Sequence, residues 1–171
     1  ANVCLMRPRL MAAAPRPVRH WSRKWKVCLR VRLPKRPCCL FSGGASSAMA
    51  YACVHPERVD GVVAMGMCDI IARLDFARTS ELPTLKKLAA AVFAAYGGTP
   101  EEVPAVYRAR SVLAQADKLR MPIVLTMGEK DALIPVVETR KVAAALKDKP
   151  RFQYREIQGG NHDSALWVDI D

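Results

Sequence analysis

The sequence predicts an α/β fold built on a doubly wound, mostly parallel β-sheet. Short apolar runs that suit buried strands recur along the chain, at residues 38–41, 59–67, 122–127 and 151–157. Segments of helical composition separate them, at residues 45–54, 80–96, 100–108 and 136–147. Strands that alternate with helices in this way pair in parallel. No apolar run reaches the ~18 residues that a membrane span needs.

Local signals set the ends of the predicted elements in the first half. The helix over 45–54 is alanine-rich and stops at His55-Pro56, because proline cannot continue a helix. The strand over 59–67 is apolar along its length, as buried parallel strands are. The helix over 80–96 has Ser80 as its expected N-cap and Gly97-Gly98 at its end.

The second half repeats the same pattern. The strand over 122–127 leads through a loop ending at Pro135 into the helix over 136–147. The strand over 151–157 leads into a glycine-bounded loop. A final short helix is expected to begin near His162.

The charge distribution divides the chain near residue 40. Residues 1–40 contain 11 of the 27 lysines and arginines and none of the 16 acidic residues, so the remainder carries equal numbers of both. We therefore predict a basic, Arg- and Pro-rich arm over 1–40 and a folded domain over 41–171. The apolar alternation over 25–33 permits a strand within the arm.

Cysteine usage bears on the compartment. The six cysteines form no Cys-x-x-Cys pair and no Cys/His spacing of a zinc site. Free thiols are the preferred interpretation, and they point to a reducing environment. No apolar core of a secretory signal follows the first charges. A cytoplasmic location is therefore predicted, with secretion as the alternative; the acid-free start also resembles an organelle transit peptide.

Two serines compete as the candidate nucleophile after the first strand. A nucleophile at a tight strand-to-helix turn needs small neighbours, since the turn strains the serine backbone. Ser46 has small residues on both sides, whereas Ser42 has Gly44 two residues later but Leu40 two residues earlier. Helix length favours Ser42, because a helix from Ser42 to Pro56 spans about 20 Å and one from Ser46 is a turn shorter. We choose Ser42 and keep Ser46 as the alternative.

An acid and a histidine follow two later strands. Asp131 lies in a Gly-x-x-Asp loop, where a carboxylate can orient a histidine ring and stabilise its imidazolium form. His162 lies in Gly-Gly-Asn-His-Asp and can act as a general base. A capping aspartate and a solvated histidine are the simpler explanations of each alone. The shared chain order Ser–Asp–His is that of an α/β-hydrolase triad; Asp69 is a substitute acid.

The residues from 42 to 63 resemble the nucleophile turn, the following helix and the next strand of α/β-hydrolases of the prolyl-oligopeptidase type. Residues 96–111 resemble the linker before the acid-bearing strand of those proteins. Residues 119–131 and 159–162 resemble their acid and histidine loops. The resemblance covers about residues 42–168 and is more specific for the fold than for the substrate.

The resemblance implies a role for each candidate residue. Ser42 would be the nucleophile, His162 the general base and Asp131 the orienting acid, with the backbone N–H of Gly43 as one oxyanion donor. The implied activity is that of a serine hydrolase, an esterase or a peptidase, which forms an acyl-enzyme that water then hydrolyses. Neither a metal nor an organic cofactor is implied.

Two departures from that resemblance matter. Leu40 replaces the usual glycine before the nucleophile turn. The family has several strands before the serine, together with a loop that supplies the second oxyanion donor, and the basic arm stands in that place here. The sheet is therefore expected to be truncated on its N-terminal side, as a truncated or re-read gene start would leave it.

Two other classes of function stay open. One is an inactive hydrolase-like fold that serves as a binding module, since one missing oxyanion donor costs roughly 10²–10³ in rate. The other is binding of nucleic acid or an anionic surface by residues 7–36, whose cations are interspersed with Trp21 and Trp25; a solvated tail explains them more simply. The expected partner is a small ester or peptide substrate. No membrane partner is predicted, and an exposed sheet edge would favour pairing with another copy.

Overall fold

A computed structural model describes residues 37–166, with side chains from Leu40 onward. The arm's predicted strand over 25–33 and its basic residues lie outside the described residues. One sheet contains four strands, in the order β1 (Pro37–Phe41), β2 (Gly61–Met65), β3 (Ile123–Gly128) and β4 (Phe152–Ile157). All three pairings between them are parallel.

Helices connect these strands. They are α1 (Gly43–Val54), α2 (Ile70–Thr79), α3 (Pro83–Tyr96), α4 (Pro104–Arg108), α5 (Val112–Gln115) and α6 (Val136–Leu146). Short 3₁₀ turns cover Pro56–Arg58, Ala116–Lys118 and Asp163–Leu166. None of the described helices is long and apolar enough to cross a membrane.

The predicted α/β class and parallel sheet are confirmed. Each of the four predicted strands is present close to its expected bounds. The region between β2 and β3 differs from the prediction. Ser80 does not cap α3, which starts at Pro83; the N–H of Ser80 instead donates to the carbonyl of Phe76 and closes the end of α2.

Helix α2 has no counterpart among the predicted elements, and its buried face explains why. The buried positions are Ile70, Arg73, Leu74 and Ala77. Their spacing is that of one helical face. Because one of the four is an arginine, the apolar period that would reveal the helix is interrupted.

The main core lies between the sheet and the helices α1 and α6. Small alanine side chains on α1 let the helix approach the sheet closely, and larger residues of β3 and α6 fill the rest. The buried members include Ala45, Ala48, Met49 and Ala52 of α1, Val62 and Ala64 of β2, Ile123 and Leu125 of β3, and Val142 and Leu146 of α6.

The helices α2, α3 and α4 form a second cluster, here called the helical excursion, between β2 and β3. Its core contains Ile70 and Leu74 of α2, Leu85 and Ala89 of α3, and Tyr107 of α4. The hydroxyl of Tyr107 donates to the carbonyl of Gly98 at 2.8 Å. The excursion therefore has apolar and polar contacts of its own.

Asp69 ties both ends of the excursion together. Its Oδ1 accepts the N–H of Ile71 at 3.1 Å and so caps α2. Its Oδ2 accepts the hydroxyl of Ser111 at 2.8 Å and the N–H of Leu113 at 3.2 Å, where α5 begins. Both carboxylate oxygens are thus engaged within a side chain that is almost fully buried. This gives Asp69 a structural role in place of the substitute-acid role.

Cys53 and Cys68 are free and buried. Burial raises the pKa of each thiol to about 12. Since the thiolate is the reactive form, both are expected to be inert at neutral pH.

Asp69→Ala is expected to lower the free energy of unfolding by about 2–4 kcal/mol, because it removes a helix cap and leaves the buried Ser111 hydroxyl without its acceptor. The matched control is Asp75→Ala, which removes a half-exposed partner of Arg78 on the same helix and should cost less than about 1 kcal/mol. Urea denaturation of both variants measures the difference. Equal losses would contradict the role assigned to Asp69.

Candidate active site

The candidate residues lie at one edge of the sheet. Ser42 follows β1, Asp131 follows β3, and His162 follows β4. The register pairs Phe41 with Met65 of β2, so the strand that carries the serine ends level with its neighbour. The carboxyl edge of a parallel sheet is where α/β proteins build their sites.

Ser42 has an unusual backbone conformation. Its φ is 54° and its ψ is −124°, and among the described residues it is the single non-glycine residue with positive φ. Such a conformation costs on the order of 1–3 kcal/mol. A hydrogen bond of 2.8 Å from the N–H of Ser42 to the carbonyl of Met65 holds the turn against β2. The side chain is partly exposed, as a serine presented by a strained strand-to-helix turn would be.

Helix α1 starts directly after this serine. Gly43 is its first residue, so its N–H has no acceptor within the helix. A side-chain carbon at Gly43 would have no heavy atom within 4 Å, which means that the space around this position is open. A carbon at Gly44 would lie 3.5 Å from the Cβ of Leu40, an ordinary contact. Leu40 therefore fits where the resembled family has glycine.

Ser46 lies one turn further along α1. Ser46 is 6% exposed, and its hydroxyl is buried without a hydrogen-bond partner. Its N–H donates to the carbonyl of Ser42 at 3.1 Å, as in a regular helix. Ser46 thus lacks the strained turn of Ser42, and its hydroxyl is buried whereas Ser42 is partly exposed.

His162 and Asp131 are in direct contact. The ring Nδ1 lies 2.6 Å from Oδ2 of Asp131, whose side chain is fully buried. The other oxygen, Oδ1, accepts the N–H groups of Leu133 at 2.8 Å and Ile134 at 2.9 Å. These bonds fix the carboxylate, and the carboxylate orients the ring. The pairing leaves Nε2 as the nitrogen that can take a proton from another group.

The histidine ring also packs beside the turn that carries Ser42. Its centroid is 4.6 Å from that of the Phe41 ring, at an interplanar angle of 42°. Its Cε1 would lie 3.2 Å from a side-chain carbon at Gly66, a residue with a φ of +61°. Phe41 precedes Ser42, and Gly66 follows the residue whose carbonyl accepts the Ser42 N–H. The ring therefore lies against the residue that precedes Ser42 and close to the end of β2.

A close backbone approach holds the histidine loop at the end of β3. A side-chain carbon at Gly128 would overlap the carbonyl oxygen of Asn161, so only glycine fits there. The N–H of Lys130 donates to the carbonyl of Gly160 at 2.7 Å. The buried hydroxyl of Thr126 donates to the carbonyl of Ala165 at 2.8 Å. The loops that carry Asp131 and His162 are thus joined by contacts that do not involve these two side chains.

Sequence reasoning missed Phe41, Gly66, Gly128 and Arg73, which all contact the candidate site or its loops. The glycines had a signal, since each ends a buried strand in a Met-Gly pair. Within the described region, no group of His, Cys, Asp and Glu side chains is placed to hold a metal ion.

A scan of the sequence against protein-family models gives no match, and a search of curated proteins gives none either. Solved structures do match. A puromycin-hydrolyzing peptidase of Mycobacterium tuberculosis superposes with a TM-score of 0.58 at 22% identity over 82% of this chain. Dipeptidyl peptidase 4 of Porphyromonas gingivalis matches with a TM-score of 0.56 at 18% identity over 78%. An esterase of Pyrococcus furiosus matches at 0.50 and 17% over 85%.

These similarities establish the fold. The chain has the α/β-hydrolase fold that its resemblance implied. It spans 20% of the length of the Mycobacterium peptidase, 17% of the Porphyromonas peptidase and 53% of the Pyrococcus esterase. At these identities the shared feature is the arrangement of the sheet and helices.

Gly128→Ala is expected to lower the free energy of unfolding by about 2 kcal/mol or more, because the new methyl group overlaps the backbone of the histidine loop. Gly44→Ala is the matched control, since its methyl group makes only ordinary contacts and alanine favours a helix by roughly 0.5–1 kcal/mol. Thermal or urea unfolding should therefore move in opposite directions in the two variants. A Gly128→Ala variant as stable as the unchanged protein would disprove the close approach.

Proposed function

We propose that the protein is a serine hydrolase that cleaves an ester or a peptide bond through Ser42, His162 and Asp131. The observation that carries the proposal is the position of the His162 ring. A buried carboxylate holds one ring nitrogen at 2.6 Å, and the ring packs against Phe41, the residue before Ser42, and lies close to Gly66 at the end of β2. The α/β-hydrolase fold supports the same conclusion by analogy.

The proposed reaction has two stages. Ser42 Oγ attacks the substrate carbonyl carbon while His162 Nε2 takes the hydroxyl proton, and Asp131 stabilises the imidazolium ion that forms. The N–H of Gly43 donates to the oxyanion of the tetrahedral intermediate. The imidazolium then protonates the leaving alcohol or amine, and an acyl-enzyme remains. Water, activated by the same histidine, releases the acid and regenerates Ser42.

Ser42 is the proposed nucleophile in preference to Ser46. A nucleophile must be reachable by the substrate and must lie at the sharp turn before the helix. Ser42 is partly exposed and has the positive φ of such a turn, whereas the hydroxyl of Ser46 is buried in a regular helix.

The proposed substrate is a small ester or a short peptide. The matched structures are described as a puromycin-hydrolyzing peptidase, a dipeptidyl peptidase and an esterase. Acyl transfer to serine serves ester and amide substrates alike. Helices α3 and α4 of the excursion come after the strand next to that of the serine, so their residues are the proposed source of substrate selection.

Ser42→Ala is expected to abolish labelling by a fluorophosphonate probe and to lower the hydrolysis of a short-chain nitrophenyl ester by roughly 10⁶-fold. Ser46→Ala is the matched control and should retain both, because its hydroxyl plays no part in the reaction. Mass spectrometry of the labelled peptide, read to the residue, measures the first result. A folded protein that labels at neither serine and turns over no ester would contradict the proposal and favour a binding module.

A further inference from the structure

Arg73 of α2 is a buried cation. It is 4% exposed, and arginine is almost never buried to that degree without a charged partner. No carboxylate forms an ion pair with it among the described residues. Its Nη1 donates to the backbone carbonyl of Leu133 at 2.7 Å, and its Nε is buried without a partner. A leucine or methionine would fill this place without the cost of desolvating a charge.

The bond from Arg73 leads to the candidate acid. Leu133 uses its carbonyl to accept from Arg73 and its N–H to donate to Asp131 Oδ1, at 2.7 Å and 2.8 Å. Asp131 Oδ2 then meets His162. A single residue of the acid loop thus links the arginine to the carboxylate that orients the histidine.

The charges around Arg73 also connect it to Asp131. Burial lowers the pKa of its guanidinium, while the negative charge of Asp131 opposes that change. The other titratable group facing it is the thiol of Cys68, which also lies in the field of Asp69 and Glu138. Because the Cys68 thiol is neutral at ordinary pH, Asp131 is the charge within this group that both compensates Arg73 and contacts the histidine.

We propose that Arg73 is a positioning residue of the active site, an inference that rests on the proposed function. Its hydrogen bond holds the acid loop in the conformation in which Leu133 and Ile134 donate to Asp131. Helix α2 of the excursion therefore contributes to the orientation of His162 without touching the substrate's reacting atoms.

Removing the arginine should change turnover more than binding. Arg73→Met is expected to lower kcat by roughly 10- to 100-fold with little change in KM, since a small displacement of a catalytic group has an effect of that order. Arg73→Lys retains an N–H donor for the Leu133 carbonyl and should recover part of the lost kcat.

Arg78→Met is the matched control. Arg78 lies on the same helix but is exposed and pairs with Asp75 and Glu101 at the surface. Its removal should leave kcat unchanged. Where Arg73→Met does not fold, Arg73→Leu takes its place, because leucine also lacks a donor for the Leu133 carbonyl.

A readout that needs no turnover separates this inference from the proposed function. The proton on His162 Nδ1, bonded to a carboxylate, should give a far-downfield NMR resonance, assigned by its loss in His162→Gln. The resonance should weaken or disappear in Arg73→Met, which has no donor for the Leu133 carbonyl, and persist in Arg73→Lys and Arg78→Met. A folded Arg73→Met variant with the unchanged resonance and kcat would overturn the proposal. An inactive parent protein whose resonance still depends on Arg73 would instead refute the proposed function alone.

Discussion

The hydrogen bond between Asp131 and His162 depends on a constraint that acts on the backbone rather than on either side chain. The loops after β3 and β4 approach so closely that Gly128 leaves no space for a methyl group. The N–H of Lys130, in the loop after β3, donates to the carbonyl of Gly160 in the loop after β4. The hydroxyl of Thr126 in β3 donates to the carbonyl of Ala165, which follows the same loop. Because these contacts are made by main-chain atoms and a buried hydroxyl, the side chains of Asp131 and His162 are brought together with little freedom to separate.

Strain and packing act together at the serine. The positive φ of Ser42 is unfavourable for a residue with a side chain, and it persists because the Met65 carbonyl accepts its N–H while α1 is anchored in the main core. The same turn places Phe41 against the histidine ring. One local conformation therefore presents the serine hydroxyl and also limits where the histidine can lie.

Much of this arrangement could be predicted from the sequence, because it follows from patterns along the chain. The four apolar runs identified the strands, and the loops after them identified Ser42, Asp131 and His162. The choice between Ser42 and Ser46 was less direct, since both have small neighbours and only the fold shows which hydroxyl is buried. The roles that the two serines, the acid and the histidine have in a reaction stay predictions.

Other features depend on neighbours that are distant in the sequence. The apolar pattern of the sequence does not predict helix α2, because an arginine occupies one of the four buried positions of the helix. The need for glycine at 128 comes from the backbone of Asn161, more than thirty residues away along the chain, and the positive φ of Gly66 favours glycine beside His162. A periodic pattern cannot report a steric limit of this kind, although a glycine at the end of a buried strand marks a place to look for one.

The hydrogen bonds of the Asp69 carboxylate bear on which sequence changes the excursion can tolerate. The Asp69 carboxylate accepts the N–H of Ile71 at the start of α2. It also accepts the hydroxyl of Ser111 and the N–H of Leu113 at the far end of the excursion. The segment between Ile71 and Ser111 is therefore closed at its base by the side chain of Asp69. Insertions, deletions or new side chains on α3 and α4 would leave these hydrogen bonds in place. The structure at the sheet edge could stay constant while the exposed residues of α3 and α4 change.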